Sequence, residues 1–77
     1  MTLYELFYNT NLQCTILVQE LENDVPITLF EGEVDGGFPE ELTEHEDRVI
    51  NYIFPYTFYH GRVLIGGICI ELEELEE

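Results

Sequence analysis

The residue pattern predicts a small α+β domain. It combines a short N-terminal helix with a small antiparallel sheet of about four strands, and a short helical turn lies between strands two and three. A capping-box spacing opens the chain, four segments have strand composition, and turn-forming residues separate them. The 77 residues are predicted to form a single acidic domain, 1–77, in which residues 73–77 can be a disordered tail.

The N-terminal helix is predicted at residues 2–8. Thr2 precedes Glu5 by three positions, which is the capping-box spacing. Three apolar side chains would then share one helical face: Leu3, Leu6 and Phe7.

Residue alternation and turn-forming residues predict three strands. Residues 13–22 alternate apolar and polar side chains, which is the period of a half-buried strand. Asn23 and Asp24 form a turn into residues 25–34, so these two segments should pair as an antiparallel hairpin. The apolar residues 63–72 are the last strand.

The segment after Pro39 has two interpretations. We favour a helical turn at 39–44, followed by a strand at 47–59, because the latter residues are rich in Val, Ile, Tyr and Phe. The competing interpretation is one helix from Pro39 to Phe54, which Pro55 would end.

Net charge limits the classes of partner. Seventeen acidic residues against two arginines and no lysine give a formal charge of −15. This argues against direct binding to nucleic acids or anionic membranes, which are themselves polyanions. Cys14 and Cys69 form no disulfide framework, and no signal peptide is evident. We therefore expect a cytoplasmic protein.

No catalytic or metal-binding signature is found. The segment from Glu31 to Leu42 resembles a calcium loop at its first positions, but Leu42 stands where a bidentate Glu is required. His45 and His60 have no partner at ligand spacing, and no nucleophile lies beside a base. We predict no metal, no cofactor and no enzymatic activity.

The acidic residues instead follow the spacing of strand faces. Residues two apart on a strand lie roughly 6.5–7 Å apart on the same face, which is comparable to the spacing of phosphates along a nucleic-acid strand. The alternative for each row is an ordinary exposed face, but the absence of lysine favours a binding surface. The predicted partner-binding acids are Glu20, Glu22, Asp24, Glu31, Glu33, Asp35, Glu40, Glu41, Glu44, Glu46 and Asp47.

Aromatic residues suggest a second contact surface. Residues 52–59 contain more aromatic side chains than one strand face can bury, and Tyr56 and Tyr59 are predicted to contact a partner. An aromatic patch rimmed by acids is either a protein-binding site or a homodimer seam.

Several segments resemble those of small acidic proteins encoded by bacteriophages and other mobile elements. They are "MTLYELF", "FEGEV" followed by "PEEL", "DRVI", and the final "IELEE". Such proteins include anti-restriction and anti-CRISPR inhibitors that mimic DNA. The resemblance implies a non-catalytic inhibitor in the host bacterial cytoplasm, which fills the basic groove of a CRISPR effector or restriction nuclease. The alternative is a structural or accessory phage protein that assembles through its aromatic segment, with acids serving only for solubility.

Overall fold

A computed structural model describes residues 1–74 and confirms the α+β class. Its elements are helix α1 (Leu3–Asn9), strands β1 (Gln13–Glu22) and β2 (Val25–Asp35), the 3₁₀ helix η1 (Glu40–His45), and strands β3 (Ile50–His60) and β4 (Val63–Leu72). The favoured interpretation of a helical turn followed by a strand is confirmed. Part of the predicted tail, residues 75–77, lies outside the described residues.

The four strands form one mixed sheet in the order β2-β1-β4-β3. The β1–β2 and β3–β4 pairs are antiparallel hairpins, whereas β1 and β4 pair in parallel. The predicted antiparallel sheet is therefore confirmed within both hairpins and is wrong only at the β1–β4 junction. The order of the strands is consistent with their composition, because Pro26 and Pro55 lack an N–H to donate and lie in the edge strands β2 and β3.

Two-residue turns close both hairpins. Asn23 and Asp24 have φ angles of 53° and 66°, as a type I′ turn requires, which confirms the predicted turn. In the second hairpin Gly61 has a φ of 65°, a conformation that glycine adopts without steric cost. With the register of each hairpin fixed by its turn, the alternation of apolar and polar residues along the strands determines which side chains face the core.

One face of the sheet, here called the helix face, is covered by α1 and η1. The main core lies between these layers, and Leu42 anchors η1 in it with no exposed surface. Its buried members are Leu3, Leu6, Phe7, Ile16, Val18, Val34, Leu42, Ile70 and Leu72.

The start of α1 is held by its cap and by the segment that connects η1 to β3. Thr2 and Glu5 form both hydrogen bonds of the predicted capping box. The backbone N–H groups of Leu3 and Tyr4 donate to carbonyl oxygens of residues 48 and 46, at 2.9 and 3.0 Å. These bonds satisfy donors that a helix N-terminus otherwise leaves unpaired.

The opposite side of the sheet, here called the open face, carries only a small buried cluster of Leu17, Phe58 and Cys69. No helix packs on it within residues 1–74. At the β1–β4 junction, a Cβ atom on Gly67 would lie 2.1 Å from the carbonyl oxygen of Thr15. Glycine therefore allows the two hairpins to approach closely enough to join.

Candidate interaction surfaces

Glu31, Glu33 and Asp35 form an exposed row on edge strand β2, which we call the acidic row. Glu31 pairs with Leu17 of the open-face cluster, and the other two acids follow at two-residue spacing. The intervening Val34 is buried on the helix face. All three carboxylates of the row are thus presented together on the open face.

Glu20, Glu22 and Asp24 do not form a comparable row. The Glu20 carboxylate lies 2.9 Å from Nη1 of Arg48, and this ion pair is mostly shielded from solvent, with 23% and 10% of the two side chains exposed. Arg48 also donates to the carbonyl oxygen of Glu73 at 2.9 Å. Glu20 is therefore committed to an internal contact, whereas Glu22 is exposed and Asp24 lies in the turn.

The acids of residues 40–47 lie on the other side of the β2 edge. Because Leu42 inserts into the main core, η1 packs on the helix face, next to β2. Four of the predicted acids are exposed here, and Glu46 is half-buried: Glu40, Glu41, Glu44, Glu46 and Asp47. The five acids of residues 40–47 are here called the η1 acids, although the last two follow η1 itself. The acidic row and the η1 acids therefore flank one edge of the sheet from opposite faces.

Tyr56 and Tyr59 are both exposed, but they lie on different faces of β3. Tyr56 pairs with Gly67 on the open face and contacts the ring of Phe58 at a centroid distance of 4.9 Å. Tyr59 pairs with Leu64 on the helix face and is 78% exposed. The predicted aromatic contact surface therefore has two sides.

The aliphatic residues of β4 were missed by the sequence prediction of a contact surface. Val63 and Leu64 are 59% and 62% exposed, and Ile65 is also exposed. One sequence feature could have identified them: no Asp or Glu occurs in residues 49–70, although the chain contains 17 acids. Most of the exposed large apolar side chains belong to this acid-free segment.

The residues considered for metal binding or catalysis do not converge. Glu31, Glu33 and Asp35 extend along a strand and do not wrap around a cation, and no cluster of three metal-ligating side chains occurs within residues 1–74. His45 lies on η1, 3.4 Å from the Glu44 carboxylate, whereas His60 is at the end of β3. This arrangement offers no metal centre in the described part of the chain.

The two cysteines are free thiols. Burial, and secondarily the charge of Glu71, raises the pKa of the Cys69 thiol above its ordinary value. This shift disfavours the thiolate, which is the form of cysteine that reacts as a nucleophile.

A shallow pocket of about 300 Å³ lies between α1 and the loop after β2. Its lining residues are Tyr4, Phe7, Tyr8, Gly36 and Phe38. The rings of Phe7 and Phe38 meet edge to face at a centroid distance of 5.1 Å. These side chains include no carboxylate, imidazole or thiol, so the pocket offers aromatic packing and no acid–base pair.

Comparisons with family models, curated proteins and solved structures find no match to this chain. In the described residues, no helix combines the length and apolar character needed to span a membrane.

Proposed function

We propose that this chain is a non-catalytic inhibitor that acts as an acidic DNA mimic. It would bind the basic nucleic-acid groove of a host defence nuclease, either a CRISPR effector or a restriction nuclease, in the bacterial cytoplasm. The observation that carries the proposal is the acidic row. Its three carboxylates are exposed on an edge strand, and neither ion pair found within residues 1–74 involves them.

The spacing of the acidic row suits a groove built for phosphates. Strand geometry places its successive carboxylates roughly 6.5–7 Å apart, so basic side chains that contact neighbouring phosphates could contact them instead. The acids of η1, on the other side of the β2 edge, would extend the negative potential around that edge. A net charge of −15 would steer the protein toward a positively charged groove.

A structural or accessory phage protein is the second candidate function. The exposed apolar residues of the acid-free segment favour it, because such patches commonly mark interaction sites. In this alternative the acids maintain solubility only. Charge reversal on the acidic row would then leave assembly unchanged.

The direct experiment measures binding to a guide-loaded CRISPR effector and to a restriction nuclease, each at low and high salt, with duplex DNA as competitor. We expect one of these nucleases to bind the chain, DNA to compete, and affinity to fall as salt rises. The double variant Glu31→Lys, Glu33→Lys should weaken binding by roughly 100-fold, on the order of 1–2 kcal/mol per reversed contact.

The matched control reverses two charges away from the acidic row, in the variant Glu73→Lys, Glu74→Lys. Both variants change net charge equally, so only position differs. The proposal fails if the two variants lose equal affinity, or if neither nuclease binds in competition with DNA.

A further inference from the structure

The pocket between α1 and the loop after β2 is lined by four aromatic rings, and two of them leave much of their surface to solvent. Tyr8 is 78% and Tyr4 46% exposed, whereas Phe7 belongs to the main core. The centroid of the Tyr4 ring lies 6.0 Å from that of Tyr8 and 5.8 Å from that of Phe38. A group bound in this pocket would therefore meet several aromatic surfaces at once.

The elements on both sides of the pocket are fixed by backbone hydrogen bonds. On one side, the N–H of Tyr4 donates to the carbonyl oxygen of Glu46 at 3.0 Å. On the other side, the N–H of Gly36 donates to the carbonyl oxygen of Leu12 at 2.7 Å. The pocket is thus largely preformed, so less conformational entropy is lost when it binds a ligand than when a mobile loop does.

The charge around the pocket selects a cationic occupant. Neither arginine lines it, and the chain has no lysine. Two exposed acids adjoin the lining residues in the chain, because Asp35 directly precedes Gly36 and Glu40 follows Phe38 by two positions. Aromatic ring faces and carboxylates both attract cations, whereas a net charge of −15 repels anions. The pocket therefore combines two features that favour a positively charged group.

The shape of the pocket favours a guanidinium over an ammonium group. An ammonium group is a compact point charge, whereas a planar guanidinium can stack on an exposed ring face and direct its N–H donors outward from its edges. An acceptor is present beside the rings: a Cβ atom on Gly36 would lie 2.5 Å from Oδ1 of Asn11, so this side-chain oxygen adjoins the pocket lining. The exposed carboxylate of Asp35 belongs to the same loop.

We propose that this pocket binds the guanidinium group of an arginine side chain on a protein partner, stacked against Tyr4 and Tyr8. The inference does not rest on the proposed inhibitor function, since it concerns the aromatic pocket and holds for any partner with an accessible arginine. Nuclease binding and arginine binding can therefore fail separately.

Nuclear magnetic resonance titration of the full chain with a blocked peptide, one arginine between two glycines, tests this inference. The titration is run at about 0.15 M salt, where charges more than about 8 Å apart are largely screened. We expect saturable shifts at Tyr4, Tyr8 and Phe38, with a dissociation constant of roughly 1–10 mM. A citrulline peptide of nearly the same shape has no charge and should bind about tenfold more weakly. A lysine peptide keeps the charge without the planar group and should bind about threefold more weakly.

Two equally exposed tyrosines locate the binding site. Tyr8→Leu keeps an apolar side chain without the ring, so it should weaken binding of the arginine peptide about threefold to fivefold, whereas Tyr8→Phe should stay within about twofold. Tyr59→Leu is the matched control, because both tyrosines are 78% exposed but Tyr59 lies on β3, outside the pocket. This control should leave the affinity unchanged. Circular dichroism verifies that each variant remains folded.

The absence of a saturable shift at up to about 50 mM arginine peptide would overturn the inference. Equal binding of the citrulline or the lysine peptide would also overturn it, because the pocket would then not recognise a guanidinium group. Equal losses in Tyr8→Leu and Tyr59→Leu would place the binding site elsewhere.

Discussion

The two hairpins of this protein present opposite kinds of surface, although they share one sheet. The β1–β2 hairpin and the η1 segment that follows it carry most of the acids, and the acid-free segment forms nearly all of β3 and β4. The first region repels other copies of the chain and attracts cations. The second has almost no charge and leaves its apolar side chains exposed. A protein that needed acids only for solubility would be expected to distribute them over both regions.

The regions also differ in how they are anchored. The helix face of the acidic half is buried beneath α1 and η1, with Leu42 completely enclosed. The end of the β3–β4 hairpin, residues 57–66, by contrast, has no covering layer on its open face in the described residues. Mutations of exposed apolar residues should therefore affect folding less in the second region than mutations of buried residues do in the first.

The largest expected effect on stability is loss of the η1 anchor. Leu42→Ala removes a fully buried side chain and should lower the free energy of unfolding by about 2–5 kcal/mol. The same substitution at exposed Leu64 should change it by less than about 0.5 kcal/mol. Urea unfolding at one protein concentration measures both, and equal losses would contradict the difference in anchoring.

The junction between the hairpins provides the next test. Gly67→Ala introduces a Cβ atom against the Thr15 carbonyl and should cost about 1–3 kcal/mol, because β1 and β4 must separate. Gly66→Ala is the control, since a Cβ atom there meets nothing within 4 Å. If thermal unfolding shows both variants equally destabilised, close approach at the junction is not the cause.

The shielded ion pair between Glu20 and Arg48 should contribute less to the free energy of unfolding. Arg48→Met leaves the Glu20 carboxylate partly buried without its partner and should cost about 1–2 kcal/mol, between the values typical of exposed and of buried pairs. Arg62→Met removes the same charge from an exposed turn and should cost much less.

A double-mutant cycle of Arg48→Met with Glu20→Gln then isolates the coupling between the two side chains. Strict additivity in chemical denaturation would show that the pair contributes nothing to stability.

The smallest effect is expected at the cap of α1. Thr2→Ala should cost about 1 kcal/mol, and Thr2→Ser should retain most of the stability. The backbone N–H of Thr2, and then its hydroxyl, hold the pKa of Glu5 below its ordinary value.

Because the folded pKa of Glu5 is lowered, its contribution to stability is present above the unfolded pKa and is lost as pH falls through the folded pKa. Thr2→Ala keeps the backbone N–H and removes only the hydroxyl, so carboxyl chemical shifts followed through an acid titration should show a partial rise of the Glu5 pKa. A rise to the ordinary value in this variant would contradict the assignment of the Thr2 backbone N–H as the main cause.

Local chemistry accounts for the features that the sequence predicted. The capping box at Thr2 and Glu5 and the turn at Asn23 and Asp24 depend on residues close together in the chain, and both are confirmed. The acidic row follows from the period of a strand, because side chains two residues apart share a face. The strong overall charge likewise needs no structure to be recognised.

Long-range packing accounts for the features that the sequence did not predict. The parallel pairing of β1 with β4 joins strands far apart in the chain, so no local period could indicate it. The same packing places Glu20 in an ion pair with Arg48, and it separates the acidic row from the η1 acids by the thickness of the sheet. Periodicity assigns a side chain to one face of its own strand. Which layer covers that face, and which edge stays open, depends on the free energy of packing the whole chain.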